Sequence, residues 1–443
     1  MKRYILLLLA VVTILEASYG QNPDRAKLDS LFNMLQQKNL GMGSIAISKN
    51  GKLIYRKAFG IASINDKDTT RADVNTEYRL GSITKMFTAV MAFQLIGEKK
   101  LSIHDTLSKY FPQLPNAGRI TIGNLLNHRS GMANFTDNTN FDDWKTQPKT
   151  HQELLDLIIK QKPDFEPNAM ANYCNSNYLV LGYIIEKICN KPYKDVLNDR
   201  IINKIGLKQT YYGDSTHDAK KEAASYKYFD SQWKKDKAIF LDDFGGAGAI
   251  ISTPADMLKF INALFTGKLV NKSSLDTMET MVDGYGMGMF PFEFGPHKGF
   301  GHNGKTEGFA SSLTYYPEDK LAIAYCTNGE VYHKAKILDG VLSIYFNKSY
   351  TTPTFQPVNL SDAVLDQYTG TYTSGPSGIK VICTHDGDHL QLETRGQLMK
   401  LEALGNNEFF NKGFGFFFEF DPSGKKLTIK DVESNYELSK STN

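Results

Sequence analysis

A serine hydroxyl attacks a carbonyl only when a neighbouring group takes its proton, and Ser82-Ile83-Thr84-Lys85 sets an amine three residues from a serine. In a helix, positions i and i+3 share a face, so Lys85 stands beside Ser82 one turn on. The start of a helix favours negative charge on Ser82 Oγ. A partly buried Lys85 near other cationic groups would lose proton affinity, as a base requires. Gly81 permits a tight entry and close approach of a substrate. Tyr173-Cys174-Asn175 offers a phenol and an amide on one side of an extended segment. Tyr173 is placed to relay a proton between Ser82, Lys85 and a leaving group, and Asn175 to orient Lys85 and hold a substrate carbonyl. His302-Asn303-Gly304-Lys305 completes the set. Gly304 leaves backbone on which a substrate could lie as an added strand. His302 could donate toward substrate or support Tyr173. The N–H groups of Ser82 and Lys305 could converge as an oxyanion hole.

Each set has a structural alternative. Ser-x-x-Lys also occurs as a helix cap followed by a surface lysine. Tyr173 could be a buried ring before a helix capped by Asn175 or Ser176. His302–Lys305 could be a glycine-rich turn with a surface histidine.

The elements that must position these residues are legible in outline. Ser44–Ser48 alternates, Asn50-Gly51 is a two-residue turn signal, and Lys52–Phe59 returns as a second strand. A helical pattern covers 82–97, with Met86, Phe87, Val90, Met91 and Leu95 on one side. Further helices are expected at 154–159, 178–188 and 196–205. At Thr253-Pro254-Ala255-Asp256 a capping box is expected, Thr253 capping and Asp256 reaching back. Strands are expected at 309–316 and 321–327 around Pro317–Lys320. Strands at both ends of a helical middle predict one sheet assembled from both ends, the helical part inserted between them.

Ser82-x-x-Lys85, then Tyr173-x-Asn175, then His302-x-Gly304, in that order, resembles the beta-lactamase-related serine hydrolases. That family holds class C beta-lactamases, D-alanyl-D-alanine carboxypeptidases of the penicillin-binding type, D-aminopeptidases and related esterases. Leu125-Leu126-Asn127-His128-Arg129-Ser130-Gly131, Gly245-Gly246-Ala247-Gly248, Ser252–Asp256 and Tyr285-Gly286-Met287-Gly288 add to the likeness, which spans about 25–345. The resemblance implies an α/β fold of the beta-lactamase/transpeptidase type: an antiparallel sheet flanked by helices beside an all-helical subdomain, with the site between them. It also implies that Ser82 is acylated, that Lys85 is its general-base partner, that Tyr173 carries protons and serves deacylation, and that Asn175 positions. His302 stands where the family has the lysine of a K-T-G triplet, and Asn303 where it has a hydroxyl residue. Both departures remove contacts suited to a substrate carboxylate. They weaken the case for an efficient beta-lactamase and fit a peptidase or esterase.

The chain has 443 residues, 41% hydrophobic and 22% charged, with a formal net charge of +3. No long basic run speaks for nucleic acid. No metal motif occurs among nine histidines and four cysteines, and no cofactor is called for. Cys174, Cys189, Cys326 and Cys383 read as small buried hydrophobes, although export would permit bridges. Lys2-Arg3, the apolar run from Tyr4 to Leu15, and Ser18 and Gly20 before Gln21 read as a secretory signal over 1–20, too short for a stable membrane span. The expected order is signal 1–20, hydrolase domain 25–350, linker 351–359, and a small β-barrel-like accessory domain at 360–443. In that last domain strands are expected at 380–383, 390–394, 414–420 and 427–431, and Phe414–Phe418 should pack inside it or against the hydrolase domain. The functional expectation is a periplasmic or secreted serine hydrolase cleaving a small peptide, lactam or ester through an acyl-enzyme on Ser82. The alternative is a penicillin-binding sensor or a non-catalytic binder of cell-wall fragments. Specificity would reside in loops such as 132–150 and 284–300, where Phe290, Phe292, Phe294 and Phe300 could face either substrate or core.

Overall fold

The computed structural model describes residues 23–65, 68–214, 221–375, 378–394, 396–405, 407–421, 423–430 and 435–441, so the expected signal at 1–20 lies outside the described residues. The early hairpin forms as read. Strands β1 (Gly41–Lys49) and β2 (Lys52–Phe59) join through Asn50 and Gly51, both at positive φ (51° and 72°). That backbone matches the right-handed twist of the two strands. Late in the chain come β3 (Phe290–Phe294), β4 (His297–Thr306), β5 (Phe309–Tyr316) and β6 (Leu321–Glu330). All pairings are antiparallel, in the order β3-β4-β5-β6-β1-β2. The sheet is thus closed by the two ends of the domain, as the order of elements predicts.

Strand β6 shows why the sheet needs cover on both faces. Leu321, Ile323 and Tyr325 enter one core, and Ala322, Ala324 and Cys326 enter the other. The first core is roofed by α1 (Arg25–Gln37) through Leu28, Leu31, Phe32 and Leu35. The second holds α2 (Thr84–Gly97), α3 (Asn175–Cys189) and α4 (Pro254–Phe265). Helix α2 departs from the one-sided pattern read in its sequence. Every residue from Thr84 to Phe93 is buried, and the Phe87 ring stacks on Phe260 of α4 at 3.7 Å. A helix enclosed on all sides needs no amphipathic stripe. Its large side chains each contribute about 1.5–3 kcal/mol by leaving water.

Two local readings are corrected. Thr253 caps α4 by accepting from Asp256 N, but Asp256 does not reach back to complete a box. Its carboxylate instead accepts from the N–H groups of Lys208 and Gln209, each at 2.7 Å. The helix read at 196–205 is broken into α-helix to Leu197, a π-type segment Asn198–Ile202 and a last turn Asn203–Ile205. The four cysteines are unpaired, and all but half-exposed Cys189 are buried.

The C-terminal region is a closed eight-stranded antiparallel barrel running from Gly370–Thr373 to Asn435–Lys440. The strands Gly370–Thr373, Gln397–Gly405, Glu408–Asn411 and Asn435–Lys440 are additional to the four apolar runs read in the sequence. Consecutive phenylalanines divide between two duties because strand side chains alternate. Phe418 and Phe420 fill the barrel, while Phe417 joins Phe410 against Tyr332 of the other core. Phe355 packs on Tyr332 and Phe417, so the extended 351–359 segment lies along that contact rather than swinging free. We expect Phe417→Ala to lower stability in urea unfolding by about 3 kcal/mol, as other buried Phe truncations do. Leu398→Ala, at a side chain 60% exposed, should change it by less than about 0.5 kcal/mol. Equal effects would show that the contact does not hold the barrel in place.

Candidate active site

The turn that presents Ser82 is built by backbone packing. Gly81 has φ +54°, and the 3-10 turn Gly81–Ile83 runs directly into α2. A Cβ on Gly81 would lie 2.8 Å from the carbonyl oxygen and 2.9 Å from the nitrogen of Lys305. A Cβ on Gly304 would overlap the Leu80 carbonyl oxygen and Ser311 Oγ, which themselves form a 2.8 Å hydrogen bond. Gly304 therefore makes room for the serine turn, a packing role its sequence context did not show, and it also lines the cleft before Ser82. The two glycines let chain and strand touch, and this brings the Ser82 backbone beside that of Lys305. Arg79 anchors the approach, bonding Glu222 at 2.6 Å and Glu307 at 3.0 Å.

Lys85 is 0% exposed. Its Nζ lies 2.8 Å from Asn175 Oδ1, 2.8 Å from Ala247 O and 3.1 Å from Ser82 Oγ. Among the described residues no carboxylate stands within ion-pair distance of it. Burial holds its pKa well below the ordinary lysine value, and neighbouring cations are not the cause. The partners then fix the geometry of the amine in its free-base form. Both carbonyl oxygens can only accept, so they take its two N–H bonds, and the lone pair is left facing the Ser82 hydroxyl. Ala247 lies in the Gly245–Gly248 turn, where the space for a Gly246 side chain is occupied by Tyr178 O at 2.7 Å and Thr88 Oγ1 at 3.1 Å. The sequence marks this run only as a family feature. Its carbonyl contact with Lys85 is a tertiary fact.

Tyr173 and Asn175 do converge on Lys85, by a different route from a uniform extended segment. Cys174 is extended (φ −145°, ψ 119°) and Asn175 is the first residue of α3, so neither Asn175 nor Ser176 is the cap. Residues 128–136 hold the segment along its length. Asn172 N donates to His128 O (3.0 Å), Cys174 N to His128 Nδ1 (3.1 Å), Asn175 N to Asn134 Oδ1 (3.0 Å), and Ser176 Oγ to Ala133 O (2.7 Å). Asn175 Nδ2 donates to Thr136 Oγ1 at 3.0 Å, which turns Oδ1 toward Lys85. His128 accepts at Nδ1 and packs its ring 4.6 Å from that of Tyr173. Burial and Lys85 hold it neutral. Tyr173 Oη is buried without a hydrogen-bond partner among the described residues. Burial raises its pKa against the opposing influence of nearby Ser82, so Tyr173 is a protonated phenol. Lys85 Nζ lies 4.8 Å from the Tyr173 ring centre.

His302-Asn303-Gly304-Lys305 lies within strand β4, not in a turn. His302 and Gly304 are buried, whereas Asn303 and Lys305 are exposed. His302 is 2% exposed, and burial next to Lys85 lowers its pKa to about 3. Its Nδ1 faces the Asn303 carbonyl, which fixes the proton on Nδ1. Beyond Gly301 the outer edge of β4 is no longer paired with β3, so 303–305 borders an open cleft of about 490 Å³ in front of Ser82. Phe290 lines this cleft, 4.7 Å from the His302 ring. Phe294 instead stacks on Phe346, and Phe300 on Phe265, so alternation did not decide their surroundings. Lys334 also lines the cleft. No spacing signal ties it to the three motifs, because it arrives from beyond β6. We expect Gly304→Ala to cost about 1–3 kcal/mol in thermal or urea unfolding, the usual penalty of overpacking, together with loss of serine reactivity. Unchanged stability with only weaker substrate binding would return Gly304 to a substrate-clearance role.

The Beta-lactamase family profile matches residues 28–342. Penicillin-binding protein 4* of Bacillus subtilis (strain 168) is 26% identical over 431 residues, covering 89% of this chain and 93% of that protein. A teichoic acid D-alanine hydrolase of Staphylococcus aureus is 29% identical over 263 residues, covering 58% of this chain and 62% of its own. A crystal structure of D-amino acid amidase from Ochrobactrum anthropi SV3 with L-phenylalanine superposes with a TM-score of 0.66 at 25% identity, covering 73% of this chain and 99% of the amidase. With the fold, the profile match and relatives that are serine hydrolases, this chain belongs to the Beta-lactamase family of serine hydrolases.

Proposed function

We propose that the protein hydrolyses an amide or ester of a D-amino acid through an acyl-enzyme on Ser82. The observation that carries this is the hydrogen-bond set of Lys85, whose two carbonyl partners aim its lone pair at Ser82 Oγ. In the first step Lys85 takes the Ser82 proton as Oγ bonds to the substrate carbonyl carbon, and the carbonyl electrons move to its oxygen. The backbone N–H groups of Ser82 and Lys305 are the donors for that oxyanion. Tyr173, a protonated phenol, gives its proton to the departing nitrogen or oxygen as the bond to carbon breaks. The Lys85 ammonium then reprotonates the phenolate. Water attacks the acyl-enzyme by the same sequence, with Ser82 as leaving group. The directions of the two pKa shifts support these roles, since Lys85 prefers the free base and Tyr173 the acid. The names of the relatives support the substrate class: one acts on D-alanine of teichoic acid and one is a D-amino acid amidase. We further propose export, with 1–20 removed as a signal, on the strength of the basic, apolar and small-residue order there.

A fluorophosphonate probe followed by peptide mass spectrometry should label Ser82 and leave Ser82→Ala unlabelled. Label on the alanine variant would displace Ser82 as nucleophile. Labelling without turnover of D-alanine amides or p-nitrophenyl esters would indicate the sensor function instead. The rate of labelling should rise with pH through the depressed pKa of Lys85, with its acid limb well below the ordinary lysine range. Lys85→Arg, permanently charged, should slow it about 10²- to 10⁴-fold. An arginine variant as reactive as wild type would remove Lys85 from the base role.

A further inference from the structure

We infer that Lys334, at the start of the last helix of the hydrolase domain, is the cationic anchor for a substrate carboxylate, supported by Lys305 and opposed by Glu330; this rests on the reading of Ser82 as nucleophile. His302 cannot fill that place, being buried and uncharged across the working pH range. The cleft nevertheless has a charged wall. Lys305 and Lys334 both line it, and no carboxylate among the described residues does. Lys334 opens helix α5 (Lys334–Tyr345), which follows β6, and it lines the same cleft as Ser82 and residues 302–305 of β4. No carboxylate among the described residues lies within ion-pair distance of its ammonium. Burial and Lys305 lower the Lys334 pKa, and Glu330 opposes that shift. A half-buried ammonium that shares only the field of Glu330 and makes no ion pair among the described residues is partly compensated, so an anionic ligand gains more from it than from a solvated surface lysine. The positive charge missing from position 302 is thus supplied to the cleft from another element.

Glu330 makes this anchor sensitive to pH. Its carboxylate accepts from the Lys334 backbone N–H. Burial pushes its pKa up to about 7, with Lys334 and Lys305 pulling the other way. The ionisable groups around it are Lys305 on β4, Lys334 on α5, Tyr325 on β6, and Lys227 and Glu307 in the adjoining hollow, with His333 capping α5 next in the chain to Lys334. Above neutrality the Glu330 anion offsets part of the lysine charge. Below it Glu330 is neutral and His302 stays neutral, so the field of the two lysines for an anion strengthens as pH falls.

The test compares N-acetyl-D-alanyl-D-alanine with its C-terminal amide as protectants of Ser82 against a fluorophosphonate. Absence of labelling would overturn the nucleophile assignment and this inference with it. If labelling occurs, wild type should be protected by the acid at a concentration about 10- to 100-fold lower than by the amide, the scale of one charge-assisted contact. Lys334→Met should lose most of that ratio and Lys334→Arg should keep it, with thermal melts confirming that both variants fold. The wild-type ratio should grow between pH 8 and pH 6 and be flat in Glu330→Gln. Equal protection by acid and amide in wild type, or a ratio untouched in Lys334→Met, overturns the proposal while leaving the Ser82 chemistry standing.

Discussion

A lysine enclosed in protein without a carboxylate must choose between an uncompensated charge and a free amine. The cost of the first is large in a low-dielectric interior, and Lys85 is released toward the second by burial itself. Everything around it serves that state. Helix α2 is buried on all sides, the Gly245–Gly248 turn offers a carbonyl in place of an acid, and the amide of Asn175 supplies a second acceptor. An aspartate in either position would restore the ordinary lysine charge and end the base role proposed for it. The removal of water from α2 is therefore both a packing contribution and the cause of the lowered Lys85 pKa.

Precision then depends on backbones that approach more closely than side chains permit. Gly81 and Gly304 let the serine turn rest on β4, and Ser311 and Arg79 tie the approach to neighbouring strands and loops. The segment bearing Tyr173 and Asn175 has little regular structure before α3, and the 128–136 loop provides the order that a strand or helix would otherwise give. The reacting groups thus come from three separate parts of the chain, each pinned by backbone hydrogen bonds, so small displacements in one are resisted by the others. The barrel stands apart from this chemistry. It meets the hydrolase domain through Phe410, Phe417 and Phe355, and the hollow beside Lys305 is walled in part by Phe414–Phe416.

The residue types and their order were enough to name the chemistry. Ser82 and Lys85 at helical spacing, a phenol and amide two positions apart, and an Asn-Gly hairpin each carry a local physical signal, and local signals survive in sequence. Four strands of the barrel carried one as well, either as apolar runs such as Val381-Ile382-Cys383 and Phe416-Phe417-Phe418 or as regular alternation such as Leu390-Gln391-Leu392. The pairing of the other four becomes evident only when the barrel closes.

Tertiary structure decided what depends on distance between remote segments. Only the fold shows that Gly304 accommodates Leu80, that the Ala247 carbonyl accepts from Lys85, and that Asp256 holds Lys208 and Gln209 rather than its own helix end. Only the fold separates Phe290, at the cleft, from Phe294 and Phe300, in packing, although all three look alike in sequence. The loss of lysine at position 302 was legible as a missing charge. That Lys334 enters the same cleft was not, because a charge acts through space while a motif is read along the chain.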